Sequence, residues 1–252
     1  MYSQDSQIVY DFSSKQTKGE FLTKVFGMMF LCLLITTGVA CGLGIAFQML
    51  LKNTMVGDQY DQQVVQYIAI ALVVSAIALF VMSIVLPIMF IRGRHNILVP
   101  LVIYTILMGV MLSTLVLAID WVILGEAFGI TTIIFGTMAL LGYVSKGRLV
   151  GIGTILIGLF LGAILLSLTN WIMIMVGGVS KANVTLSWVV SLLIFAFLML
   201  VTLYDVNRIK RIAEEGARQD NNLTYYCAFV LYSDFIAILV RVIYILAALK
   251  DS

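Results

Sequence analysis

Residues 231–246 read LYSDFIAILVRVIYIL, an almost wholly apolar run interrupted by Asp234 and Arg241. Extended to 223–249, it is long enough to cross a bilayer, whose core of about 30 Å takes about 20 apolar residues of helix. Six further runs of this kind precede it, at roughly 25–51, 64–91, 97–119, 127–145, 149–177 and 184–204. The bias is general: of 252 residues, 62% are hydrophobic and 11% charged, with mean hydropathy +1.09. Soluble domains run about 45–50% apolar and about 25% charged. The sequence therefore predicts an all-α integral membrane protein, a bundle of seven transmembrane helices over 21–252 behind a polar tail at 1–20. That tail, MYSQDSQIVYDFSSKQTKGE, lacks a short apolar segment followed by a small-residue cleavage site, so it reads as retained and not as a signal peptide.

Orientation follows from the basic residues, because cytoplasmic loops collect Lys and Arg. Lys15, Lys18 and Lys24 precede the first span, Arg92 and Arg94 follow the second, Lys146 and Arg148 the fourth, and Arg208, Lys210, Arg211 and Arg218 the sixth. The other side holds only Lys52, Lys181 and Lys250. The N-terminus is therefore expected in the cytoplasm and the C-terminus outside, with the acids Asp58, Asp61, Asp120 and Glu126 in the outer loops. A formal net charge of +2, without a basic block or a Cys/His cluster, gives no reason to expect a nucleic-acid partner. The expected surroundings are the lipid bilayer.

Several features carry no chemistry. Cys32, Cys41 and Cys227 fall inside apolar spans, where a free thiol behaves as a small hydrophobe. His95, in the turn RGRHN, has no second His or Cys near it and reads as a solvated loop residue. Gly38 with Gly42, and Gly158 with Gly162, form G-x-x-x-G pairs that internal packing explains as well as dimerisation does. No enzyme is indicated. An intramembrane Ser-His protease needs a His inside the bundle, a retinal Schiff base needs a Lys within the last span, and neither H-E-x-x-H nor a nucleotide-binding glycine pattern occurs. No cofactor is expected.

Two acids remain, in VTLYDVNRIKRIAEEG and LYSDFIAILVRV. Asp234 lies about 16 Å into the last span, near mid-membrane, where a charge costs at least ~2.5–3.5 kcal/mol and calls for a partner, a proton or water. Asp205 ends the sixth apolar run. Ile209, Ile212 and Ala213 continue an amphipathic pattern among Arg208, Lys210 and Arg211, so the helix is expected to run about two turns further. The two acids then meet across antiparallel helices. Close carboxylates in a low dielectric do not both ionise easily and would hold one proton between them. When both are ionised they are hard oxygen ligands of the kind Ca²⁺ accepts. The alternative is that Asp205 pairs with Arg208 or Arg211 at the membrane surface while Asp234 pairs with Arg241.

The motifs resemble those of the Bax inhibitor-1 family, also called the transmembrane Bax inhibitor motif or LFG/YccA-like proteins. The similarity runs through the F-x-x-K-V-F-x-M-M opening at 21–29, FGITTIIFGTMALLGYVSKGRLVGIG at 128–153, LYDVNRIK at 203–210 and LYSDFIAIL at 231–239. The resemblance implies a seven-helix bundle with the C-terminal helix at its centre. It also implies a pH-responsive di-aspartyl unit beside a Ca²⁺-permeable path, which by position is Asp205 and Asp234. In many relatives the arginine of the last helix stands about ten residues after the aspartate. Tyr244 occupies that place here and Arg241 comes after seven. Arg241 is thereby a candidate to line the path, and Arg92 or Arg94 is the nearest match to the arginine that latches the pair in some relatives. A long basic C-terminal tail, present in some eukaryotic relatives, is absent, which suggests a bacterial-type member in the cell membrane. The function expected from the resemblance is a pH-sensitive cation leak, with Ca²⁺ and protons as partners and Ca²⁺ held or passed by Asp205 and Asp234. The alternative is a regulator without transport that restrains a membrane protease or a stress or cell-death protein.

Overall fold

The structure is a computed structural model that describes residues 15–53, 62–93, 96–145, 150–177, 181–214 and 221–250. Among these residues there are seven helices and no strand: α1 (Lys15–Asn53), α2 (Gln62–Ile91), α3 (Leu98–Ala118), α4 (Trp121–Val144), α5 (Val150–Gly177), α6 (Lys181–Glu214) and α7 (Asn221–Lys250). All seven are long and apolar enough to cross a membrane.

Three helix ends differ from the apolar runs. α1 begins at Lys15, so part of the expected tail is helical. α4 begins at Trp121, which corrects the placement of Glu126: it sits on an exposed face of that helix and not in a loop. The apolar stretch Trp121–Leu124 continues the helix upstream of the small residues from which the span was read. α6 runs nine residues beyond Asp205, as its amphipathic pattern predicts, with Val206, Ile209 and Ala213 buried and Arg208 and Glu214 exposed. Asp58, Asp61, Arg94, His95, Lys146, Arg148 and Arg218 lie outside the described residues.

α7 is the centre. It packs against α1, α2, α3, α4 and α6, whereas α5 is held chiefly by α6. Lipid tails are as apolar as leucine, so helices associate in a bilayer through close packing and hydrogen bonds. The inward stripes show this in their composition. α3 turns Thr105, Gly109 and Ser113 inward with Leu101 and Tyr104, and α4 turns Ala127, Thr131, Ala139 and Gly142 inward with Phe135. A buried chain ties three helices together. The Thr36 hydroxyl donates to the Thr105 carbonyl at 3.1 Å, which leaves the Tyr232 hydroxyl, 2.6 Å away, to donate to Thr36.

Glycine permits close approach to a neighbouring helix's backbone oxygen at two positions. A Cβ on Gly109 would stand 2.9 Å from the Thr36 carbonyl oxygen, and one on Gly142 would stand 2.5 Å from that of Leu203. The G-x-x-x-G pairs are not among these positions. Gly38, Gly42, Gly158 and Gly162 have open space where a Cβ would go, so internal packing does not explain them. The three cysteines are free, with Cys32 and Cys227 buried. At the far end of the bundle, Lys250 reaches Asp120 at 2.6 Å and holds its carboxyl below the usual range by hydrogen bond and charge. Both side chains are exposed, so the pair contributes little to stability.

Candidate functional site

Asp234 stands thirteen residues into α7 and is 9% exposed, and its Oδ2 has no hydrogen-bond partner. The Thr131 Oγ1 of α4 is likewise buried without a partner, whereas the neighbouring Ser233 faces the Tyr104 hydroxyl of α3. Thr131 lies between Phe128 and Phe135, whose rings both meet Phe235 edge-on at about 5.5 Å. Buried polar groups are almost always paired, so the unbonded oxygens of Asp234 and Thr131 call for an explanation.

Asp205 approaches the same strip from α6. Its charge reaches Cys227 and Asp234, which are seven residues and therefore two turns apart on one face of α7. The structure thus brings the two predicted acids within electrostatic range of each other. Neither forms an ion pair among the described residues. Arg208, one turn from Asp205, is exposed and acts on it through its field alone.

The far half of α6 fixes Asp205. The amide of Asn207, buried, donates to the carbonyls of Gly142 and Ser145 at 3.2 and 3.3 Å. Lys210 donates to those of Tyr143 and Ser145 at 2.6 and 3.2 Å and lies over the Tyr143 ring. These two side chains satisfy the carbonyls that end α4, and the lysine also sits at the negative end of its dipole. Sequence reasoning missed Gly142, Asn207 and Lys210 as positioning residues. The available signal was an uncharged amide two residues after a membrane aspartate.

The arginines are placed separately. Arg92 is exposed at the end of α2, where Phe90 stacks on Tyr226 with ring centroids 4.2 Å apart; Arg94 is outside the described residues. Arg241 donates to Ser191 Oγ at 3.2 Å and lies over the Tyr244 ring. It shares a helix face with Asp234 but stands about 10 Å along the axis. Arg241→Met therefore removes no buried ion pair. The variant is expected to keep the wild-type stability in thermal unfolding in detergent, whereas breaking a buried pair costs about 3–5 kcal/mol. A loss of that size would show that Arg241 neutralises an acid after all.

No cluster of three or more His, Cys, Asp or Glu side chains able to hold a metal occurs among the described residues. Two carboxylates fall short of a full Ca²⁺ shell, which takes six to eight oxygens.

A family profile described as "Inhibitor of apoptosis-promoting Bax1" matches residues 18–251. Among curated proteins, the inner membrane protein YbhL of Escherichia coli strain K12 is 30% identical over 138 residues, covering 53% of this chain and 55% of that protein. The inner membrane protein YbhL of Escherichia coli O6:H1 matches to the same extent. The chain thus spans about half the length of the curated relatives it matches.

Proposed function

Because the chain belongs to the Bax inhibitor-1 family, we propose that this multi-pass membrane protein is a pH-sensitive cation leak, with Ca²⁺ as its cargo, gated by Asp205 and Asp234. The observation that carries the reading is Asp234. It is a buried carboxylate on the central helix, with one oxygen unbonded, in the field of a second carboxylate. At low pH the pair holds a proton, its charge is reduced and a divalent ion is weakly attracted. At higher pH both acids ionise and the same oxygens draw a cation into the bundle. Binding of Ca²⁺ therefore strengthens as pH rises through the loss of the shared proton.

Purified protein in liposomes with an entrapped Ca²⁺ dye tests this. Flux that changes between about pH 6 and 8 supports the leak. Dye that stays silent across that range, in vesicles proven to contain folded protein, leaves the non-transporting regulator as the function. The orientation belongs to the same proposal, with the N-terminus in the cytoplasm and Lys250 at the opposite face. A reporter fused after Ser252 is expected to be active only on the non-cytoplasmic side. Activity in the cytoplasm would reverse the assignment.

A further inference from the structure

α3 and α6 both pack on α7 without packing closely on each other. Between them is a groove of about 570 Å³, walled by Tyr104 and Ile194 and floored by Ser233, Ala237, Arg241 and Tyr244. We infer that this groove is a binding site for one anionic phospholipid, its acyl chain lying along α7 and its phosphate held by Arg241.

Length favours a single lipid chain. From Ser233 to Tyr244 the floor runs eleven residues, about 16 Å of helix, which matches the half-thickness of a hydrocarbon core of about 30 Å. Val240 and Tyr244 are exposed on this floor, so the groove opens sideways to the bilayer. Charge sets the headgroup. Arg241 has no carboxylate partner among the described residues; its guanidinium donates to Ser191 and lies over the Tyr244 ring. A guanidinium has five donors and matches phosphate oxygens two at a time, so most of its capacity is directed at something other than protein. Depth agrees as well. α7 is about 45 Å long and overhangs a 30 Å core by about 7 Å at each end. Arg241, nine residues from Lys250, then sits about 6 Å below the headgroup boundary, within reach of a snorkelling side chain. Tyr244 is the kind of residue that anchors at that boundary. A zwitterionic lipid carries its own cation beside the phosphate and gains less from Arg241. The chain would end beside Ser233, the neighbour of Asp234.

Thermal unfolding of the detergent-purified protein tests the site, with phosphatidylglycerol, phosphatidylcholine or inorganic phosphate added to the wild type, Arg241→Gln and Ala237→Phe. Phosphatidylglycerol is expected to raise the wild-type midpoint by several degrees more than phosphatidylcholine does. Arg241→Gln should erase that difference, and Ala237→Phe, which fills the groove and keeps the charge, should shrink the gain from both lipids. Equal gains from the two lipids in the wild type, or an undiminished phosphatidylglycerol gain in either variant, overturns the proposal. So does inorganic phosphate reproducing the whole gain, because that would be a bare anion site. Should Arg241→Gln not fold, Ala237→Phe decides alone by the same criterion. None of these readouts depends on ion flux.

Discussion

Gly142→Val is expected to unfold the bundle or lower its stability by about 2–4 kcal/mol, toward the upper end of what overpacking costs. The added Cβ would stand 2.5 Å from the Leu203 backbone oxygen and 3.1 Å from the Val206 Cβ. A side chain can turn aside, but a helical carbonyl cannot, so α4 must move away from α6. That movement stretches the bonds from Asn207 to the Gly142 and Ser145 carbonyls, which leaves buried groups unpaired at about 1–3 kcal/mol each. It also shifts the segment of α6 that carries Asp205, so surviving protein should have an altered pH response. Gly38→Val is the control, since nothing lies near its Cβ. Thermal unfolding of both variants in detergent separates a crossing that needs glycine from a general sensitivity of glycine to replacement. Equal midpoints for the two would contradict the packing described here.

The second large effect has the opposite sign. Asp234→Leu is expected to raise stability by about 1–3 kcal/mol while abolishing the pH dependence of Ca²⁺ flux. Burying a polar atom without a partner carries a desolvation cost, and an apolar group of similar size removes it. Asp234 is suited to this test, because its Oδ2 is buried and unbonded and the nearest charge that acts on it is the like charge of Asp205. Asp205→Leu should gain less. Asp205 is only half-buried and already lies in the field of Arg208. A loss of stability in Asp234→Leu at neutral pH would mean that a counter-charge satisfies the carboxylate, and the site would then be an ion pair and not a proton-sharing unit.

The spans were legible because each is apolar on every side, and that same property hid the packing. In a soluble helix the apolar stripe marks the core, but here the lipid face is as apolar as the buried one. Phe30, Leu31 and Leu34 of α1 face outward while Cys32, Leu33 and Thr36 face inward. The inward face is marked by small and polar residues, as at Thr105, Gly109 and Ser113, and sequence spacing alone does not say which of these meet. Gly38 and Gly42 have the expected spacing and meet nothing, whereas Gly142, without such a partner in the chain, sits against the Leu203 carbonyl beside the site. Asp205 and Asp234 were readable because charge in a membrane span is costly enough to need a reason. Arg241 stands out in the sequence for the same cause, but its bond to Ser191 on α6 depends on how α6 and α7 cross. The extension of α6 was legible from its amphipathic tail. What that tail does for the end of α4, through Asn207 and Lys210, becomes visible only when the two helices are side by side.

The central claim is that Asp205 and Asp234 act as one proton-sharing gate. Its most direct test is Ca²⁺ flux between about pH 6 and 8 in liposomes carrying the wild type, Asp205→Asn, Asp234→Asn or both changes together. Each single variant should lose or displace the pH response, because removing one acid removes the repulsion that makes the other hold its proton. The double variant should be scarcely worse than either single one, as groups that act as a unit are not additive. Independent, additive effects of the two changes, or an unchanged pH profile in Asp234→Asn, would contradict the claim.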